Sequence, residues 1–212
     1  ELLQPHEDID AHFKRHERFL VLDCACQRGQ ELQGGRGGRM PMKRCGFLGL
    51  PPQTPLSENV LDRQEASKLL RELEQMGHAH LAYYGFAMGA ESPQFVGTCN
   101  CRGDTCSILR GVTHFALAEA PQRSNYRAVI DPDECISCGE CIERCPVHTI
   151  AQDENSKAKV GQAKCIGCGV CVIGCTSEAI ELVPVPEEER FHVPSGLAEW
   201  EESRQRNLAA NA

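Results

Sequence analysis

Large aromatic side chains are scarce in this sequence. Phenylalanine, tyrosine and tryptophan together make up 5% of 212 residues, and Trp200 is the single tryptophan. Hydrophobic residues reach 41%, enough for a modest core in one or two domains, but so few rings leave the chain in need of another source of cohesion. Long apolar runs are missing too. None approaches the roughly 18 residues that span a bilayer, so no membrane span is expected, and no signal peptide is visible. The sequence opens at Glu1 rather than Met, which leaves room for residues ahead of it, a targeting segment included. Positive charge is also short: 22 Lys and Arg against 30 Asp and Glu give a net charge of −8. That balance argues against general nucleic-acid binding, which relies on a basic surface, and suits a protein that meets a basic patch on a partner.

Cysteine is what the chain has in excess, with 14 residues. Most stand in tight C-x2-C spacing, and the chain is long for a disulfide scaffold. Metal ligation in a reducing compartment, most simply the cytoplasm, is therefore expected rather than a disulfide framework. Bound metal contributes folding free energy directly, because the unfolded chain lacks the assembled site.

Eight of the cysteines form an internal repeat. "CISCGECIERCP" (135–146) is followed thirty residues on by "CIGCGVCVIGCT" (165–176). The offset places Cys135, Cys138, Cys141 and Cys145 over Cys165, Cys168, Cys171 and Cys175, and Ile150 over Ile180. A repeat this short does not bury a core alone, so the halves are expected to pair. Each half reads as a strand, a loop with a short helix, and a second strand: "YRAVI" and "TIAQ", then "KAKV" and "AIELV". Zinc sites usually take two C-x2-C pairs joined by a longer loop, not three cysteines in a row with a fourth at x3.

Residues 127–183 resemble the two-cluster bacterial ferredoxin module, whose ladder is C-x2-C-x2-C-x3-C-P, and all eight ligand positions are present. Carried onto this chain, the resemblance implies one [4Fe–4S] cluster on Cys135, Cys138, Cys141 and Cys175. It implies a second on Cys165, Cys168, Cys171 and Cys145, the fourth ligands being exchanged between ladders. That exchange fastens the halves together. Gly139, Gly167 and Gly169 are expected to bend the backbone around the clusters and aim N–H groups at sulfur. Thr176 stands where the first ladder has Pro146, a departure that removes no ligand.

Six cysteines remain upstream: Cys24, Cys26, Cys45, Cys99, Cys101 and Cys106. "FLVLDCAC" (19–26) reads as a buried strand, in which i and i+2 share a face, so each C-x-C pair offers two thiolates to one centre. Six exceed the four ligands of one site, and one occupied site with two spare thiols is the simplest arithmetic. A third iron–sulfur cluster, structural zinc, free structural thiols and a redox-active pair all stay open. The region loosely resembles a cysteine-rich domain that precedes the two-cluster module in ferredoxin-like proteins of anaerobic microbes. The matching pieces are "CACQR", "RCGFLGL", "DRQEASKLLRELEQMGHAH" and "CNCRGDTCSILRG"; Gln27, Met40 and Arg102 depart from that pattern.

Elsewhere the chain offers less chemistry. "GQELQGGRGGRMPMKR" (29–44) reads as a Gly-rich loop, and its basic residues, with Arg28, as a solvated face more than a phosphate clamp. Asp62 and Glu65 fit a capping box ahead of Ala66, Leu69, Leu70, Leu73 and Met76 at helical spacing, with Gly77 as terminator. "HAHLAYYGFA" (78–87) reads as a strand; His78, His80, His114 and His148 read as packed or exposed histidines. No residue is singled out as catalytic.

The expected architecture is α+β. Residues 1–120 form a cysteine-rich α/β domain with a possible third metal site. Residues 121–183 form the ferredoxin-like module with its pseudo-two-fold repeat. Residues 184–212 form a Pro-rich acidic extension, with a helix from Ser195 carrying Trp200 as a docking tail. The expected function is electron transfer, as a non-catalytic subunit of a cytoplasmic oxidoreductase complex with a redox partner protein. Alternatives are a redox or metal sensor using the N-terminal cysteines, and an iron–sulfur enzyme with its substrate site in the N-terminal domain.

Overall fold

The computed structural model describes residues 2–3, 9, 13–34, 43–85, 94–114, 123–192 and 197–210. Six strands form one sheet: Leu2–Leu3 (β1), Arg18–Asp23 (β2), Lys43–Leu50 (β3), Val60–Asp62 (β4), Ala79–Gly85 (β5) and Gln94–Cys101 (β6), in the order β1-β5-β6-β3-β2-β4. Tyr126–Ile130 (β7) pairs with Ile180–Pro184 (β10), and Ile150–Gln152 (β8) with Ala158–Val160 (β9). The helices are Ala25–Leu32 (α1), Arg63–Gln75 (α2), Ser107–His114 (α3), Glu140–Arg144 (α4), Val170–Ile173 (α5) and Leu197–Ala210 (α6).

The α/β layout expected for residues 1–120 is corrected to α+β. Every pairing in the six-stranded sheet is antiparallel, and antiparallel neighbours need no crossover helix. A second correction concerns Cys24 and Cys26. The strand stops at Asp23; Cys24 becomes the N-cap of α1, its sulfur accepting from Gln27 N–H at 3.4 Å, and Cys26 lies in the first helical turn. The strand-face argument therefore fails for this pair and holds for Cys99 and Cys101 in β6. The expected loop at 29–44 is helical through Leu32 and extended from Lys43; Arg36, Arg39 and Met40 lie outside the described residues, as do Pro121 and Ser195.

α2 forms as its caps require. Asp62 accepts from Glu65 N–H at 2.9 Å while the Glu65 carboxylate accepts from Asp62 N–H at 3.1 Å. At the other end Gly77 turns left-handed (φ 89°), and the His78 and Gly77 N–H groups close back on Leu73 and Glu74, a paired ending that satisfies two orphan carbonyls. Ala66, Leu70 and Leu73 face a core of Ile9, Phe13, Phe19, Val21, Phe47 and Ala82. Phe13 stacks on Phe19 at 4.4 Å and meets Phe47 at 5.8 Å. Three of the scarce aromatics thus pack together, and each buried Phe or Leu contributes roughly 1.5–3 kcal/mol.

A second buried cluster lies between the sheet and the repeat. It takes Leu81, Cys101, Cys106 and Leu109 from the upstream region, and Ala128, Val147, Ile150, Ile166, Val170 and Ile180 from the ladder region. Arg144 bridges the same two regions. Its Nη1 donates to the Gln75 carbonyl at 3.0 Å and Nη2 to that of Glu74 at 3.2 Å, while Nε donates to Val170 at 3.2 Å. Arg102 adds a bond to the Met76 carbonyl at 3.3 Å. α2 has no basic residue in its own last turn, so both cations at its negative end come from distant segments. The chain after β10 is held as well: Asn125 exchanges two 2.8 Å hydrogen bonds with the backbone of Phe191. Among the described residues no helix is long and apolar enough to cross a membrane.

Candidate metal centres

The ladder loops share their unusual backbone angles. Ser137 and Gly167 (φ 61° and 67°), Gly139 and Gly169 (80° and 81°), and His148 and Glu178 (50° and 56°) are left-handed pairs, each thirty residues apart. Gly139 and Gly169 start α4 and α5, and those short helices carry Cys141 and Cys171 inward. Cys145 then leaves α4 in an extended conformation.

Two cavities result. One is lined by Cys135, Cys138, Cys141 and Cys175, with Ile130, Ala158 and Ile180 among its walls. The other is lined by Cys145, Cys165, Cys168 and Cys171, with Val147, Val160 and Ile166. Each draws three cysteines from one ladder and one from the other.

Backbone N–H groups are directed at these sulfurs. Thr149 N–H donates to Cys145 Sγ at 3.4 Å. Ala158 and Ser137 N–H donate to Cys135, and these bonds hold its thiol below the ordinary value. Burial acts in the other direction on the enclosed thiols. Cys141 is raised by burial and by Cys135 and Cys138; Cys168 is raised well up by burial, with Cys171 adding to it. Cys171 is pushed up to about 12 by burial and then by Cys145 and Cys165. Thiols crowded into an apolar cavity ionise only with positive charge among them, which iron supplies. The donor set, the apolar walls and the N–H···S bonds fit a thiolate-bound cube in each cavity. Among the described residues no group of three or more His, Cys, Asp or Glu side chains is placed to hold a metal ion. Four ladder thiols line each cavity, the ligand number of a four-iron cube.

The upstream thiols are arranged differently. Cys26 hydrogen-bonds with Cys106 and Cys24, Cys106 with Cys101, and Cys101 with Cys99 at 3.4 Å. These bonds from Cys106, then Cys24, hold the Cys26 thiol well below its ordinary value. Cys101 is raised well up by donating to Cys106 and Cys99, and by burial. In Cys106 the bond from Cys101 pulls down, but donation to Cys26 and burial prevail and push it up to about 11. Cys45 stands opposite Cys99 in the β3–β6 register. The structure therefore gathers five of the six into a series, from three separate segments.

Two of the histidines are bound within the protein. His78 is buried with Nδ1 2.8 Å from the Leu73 carbonyl, and His80 is buried with Nδ1 2.7 Å from Asn100 Oδ1. His148 is exposed. Arg28 is exposed and 3.8 Å from Glu31; Trp200 lies in α6. Sequence reasoning missed Lys157, whose Nζ donates to the Cys135 carbonyl at 2.5 Å, and Ser124, whose hydroxyl donates to the Gly167 carbonyl at 2.7 Å. Neither carries a local signal, since their partners lie 22 and 43 residues away.

Comparison with curated proteins finds no match for the chain. Residues 128–182 match the family described as 4Fe-4S dicluster domain, so this stretch is an iron–sulfur segment of the ferredoxin type.

Proposed function

We propose that the chain is an electron-transfer protein carrying two [4Fe–4S] clusters, and that it works as a subunit of a larger oxidoreductase in the reducing cytoplasm. The observation that carries this reading is the partition of eight cysteines between two cavities, four to each. Cys135, Cys138, Cys141 and Cys175 hold one cluster; Cys165, Cys168, Cys171 and Cys145 hold the other, and the ladders form a pseudo-two-fold pair. Bound there, the clusters supply one-electron chemistry. The protein's own part is to fix the thiolates, exclude water with Ile130, Ile166, Val160 and Ile180, and stabilise negative charge on sulfur through the N–H groups of Ser137, Ala158 and Thr149.

Cys138 is the exposed thiol among the eight, and Ile136 beside it is 63% exposed. That edge is where a redox partner approaches, because electron exchange needs a short path and an apolar contact excludes water from it. The upstream region and the extension after β10 add surface that a free carrier does not need, which favours a fixed place in a complex. Anaerobic purification tests the reading. About eight irons with matching sulfide are expected in the ladder, with an EPR spectrum of two interacting paramagnets after reduction. Far fewer irons would contradict it.

A further inference from the structure

We propose that Cys26 and Cys106 form a reversible dithiol/disulfide couple that accepts two electrons, one from each ladder cluster. The relay part of this proposal rests on the two-cluster reading above; the couple itself rests on geometry upstream.

The two groups of cysteines differ in kind. Ladder thiols line cavities. Upstream thiols hydrogen-bond one to the next, in the series Cys24, Cys26, Cys106, Cys101, Cys99. A series of hydrogen-bonded sulfurs suits thiol–disulfide exchange, in which one sulfur attacks its neighbour. Gln30, one turn after Cys26 in α1, donates to the Thr105 carbonyl at 2.8 Å, which holds that helix against the segment carrying Cys106. Cys26 and Cys106 are the central pair, contributed by segments 80 residues apart in sequence, so their bond would close a long loop between elements already packed together. Both sit at helix starts. Cys26 is in the first turn of α1 and receives bonds from the Ser107 backbone and hydroxyl; Cys106 immediately precedes α3 and receives one from Leu109 N–H. At Cys26 these bonds add to the stabilisation of its thiolate, the form that attacks in exchange, whereas at Cys106 donation to Cys26 and burial outweigh them.

Position supplies the electron source. Cys26 keeps partial exposure while Cys106 and Cys101 are buried, in the same apolar cluster as Cys145 and Cys171. Gly103, three residues before Cys106, lies so close to the Pro146 carbonyl that a Cβ would strike it, and Pro146 follows Cys145, a ligand of the second cavity. The couple is thus open to solvent through Cys26 and joined to the ladder through Cys106. The step balances: the S–S bond breaks, each sulfur takes one electron and one proton, and the two electrons come singly from two reduced iron–sulfur centres. Run in reverse, an outside dithiol reduces the Cys26–Cys106 disulfide by exchange through Cys26 and is itself left as a disulfide. The couple then gives its two electrons singly to the two oxidised clusters, releasing two protons as its S–S bond re-forms.

Coulometric titration of the full anaerobic chain, with iron counted on the same sample, tests this. Wild-type protein is expected to take up about four electrons, two in the clusters and two in the disulfide, and the Cys106→Ser variant about two. Alkylation and peptide mapping of the oxidised chain is expected to show Cys26 linked to Cys106 in wild type and in Cys24→Ser. Uptake of about two electrons by both proteins overturns the couple and leaves the cluster reading standing. About two for wild type and none for the variant, with little iron, overturns the clusters and keeps the couple. About twelve irons, or a zinc that leaves Cys26 and Cys106 unlinked, overturns the couple in favour of an upstream metal site.

Discussion

Ser137 and Gly167 hold equivalent places in the two ladders and share a left-handed backbone, yet only one is glycine. The reason is what surrounds the missing side chain: a Cβ at Gly167 would strike the Tyr126 carbonyl oxygen and the Ser124 hydroxyl. Tyr126 belongs to β7, so relief would require moving a paired strand. Gly167→Ala is expected to cost more than the roughly 1–2 kcal/mol of left-handed strain alone, and to shed iron from the second cavity first. Ser137→Gly is expected to be neutral, or stabilising by up to about 1 kcal/mol. Anaerobic denaturation with iron release monitored checks both; equal losses from the two variants would contradict the asymmetry. The glycine pattern was visible in the sequence, because "CIGCG" differs from "CISCG" at this one place. Which neighbour forbids the side chain was not visible, since Ser124 and Tyr126 lie some forty residues away.

Among the elements, α2 was readable end to end. Asp62, Glu65, the apolar face at Ala66, Leu70 and Leu73, and Gly77 each act locally. The strands flanking the ladders were readable for the same reason. α1 was not, because "FLVLD" reads on smoothly into "CAC" and only the N-cap bond from Gln27 N–H to Cys24 ends the strand. β3 was hidden in a Gly-rich stretch, and its pairing with β2 and β6 is tertiary. Arg144 acts at this scale too, since it closes the end of α2 from another part of the chain. Arg144→Ala is expected to lower stability by about 2 kcal/mol, the worth of a charge-assisted hydrogen bond, and Arg144→Lys to recover part of it. The shift in denaturation midpoint of the anaerobic, cluster-loaded protein measures this; a change under about 0.5 kcal/mol, typical of exposed ion pairs, would contradict the bridging role.

For the whole molecule, cohesion comes from two sources that the composition hinted at. Three phenylalanines, Phe13, Phe19 and Phe47, pack together with the apolar face of α2. A second apolar cluster, lined with thiols, joins that sheet to the ladders. The repeat and the cysteines that line its two cavities were legible because their spacing is local; the convergence of Cys24, Cys26, Cys99, Cys101 and Cys106 was not, because it depends on where α1, β6 and α3 begin and end. The central claim is that Cys145 and Cys175 are exchanged between ladders, so that each cluster bridges both halves. The most direct test compares two double variants by Mössbauer and EPR counts of intact four-iron clusters. Cys145→Ala with Cys168→Ala removes two ligands from one predicted cluster; Cys145→Ala with Cys138→Ala removes one from each. The first is expected to retain one more intact four-iron cluster than the second, and the opposite order would show that each ladder binds its own cluster.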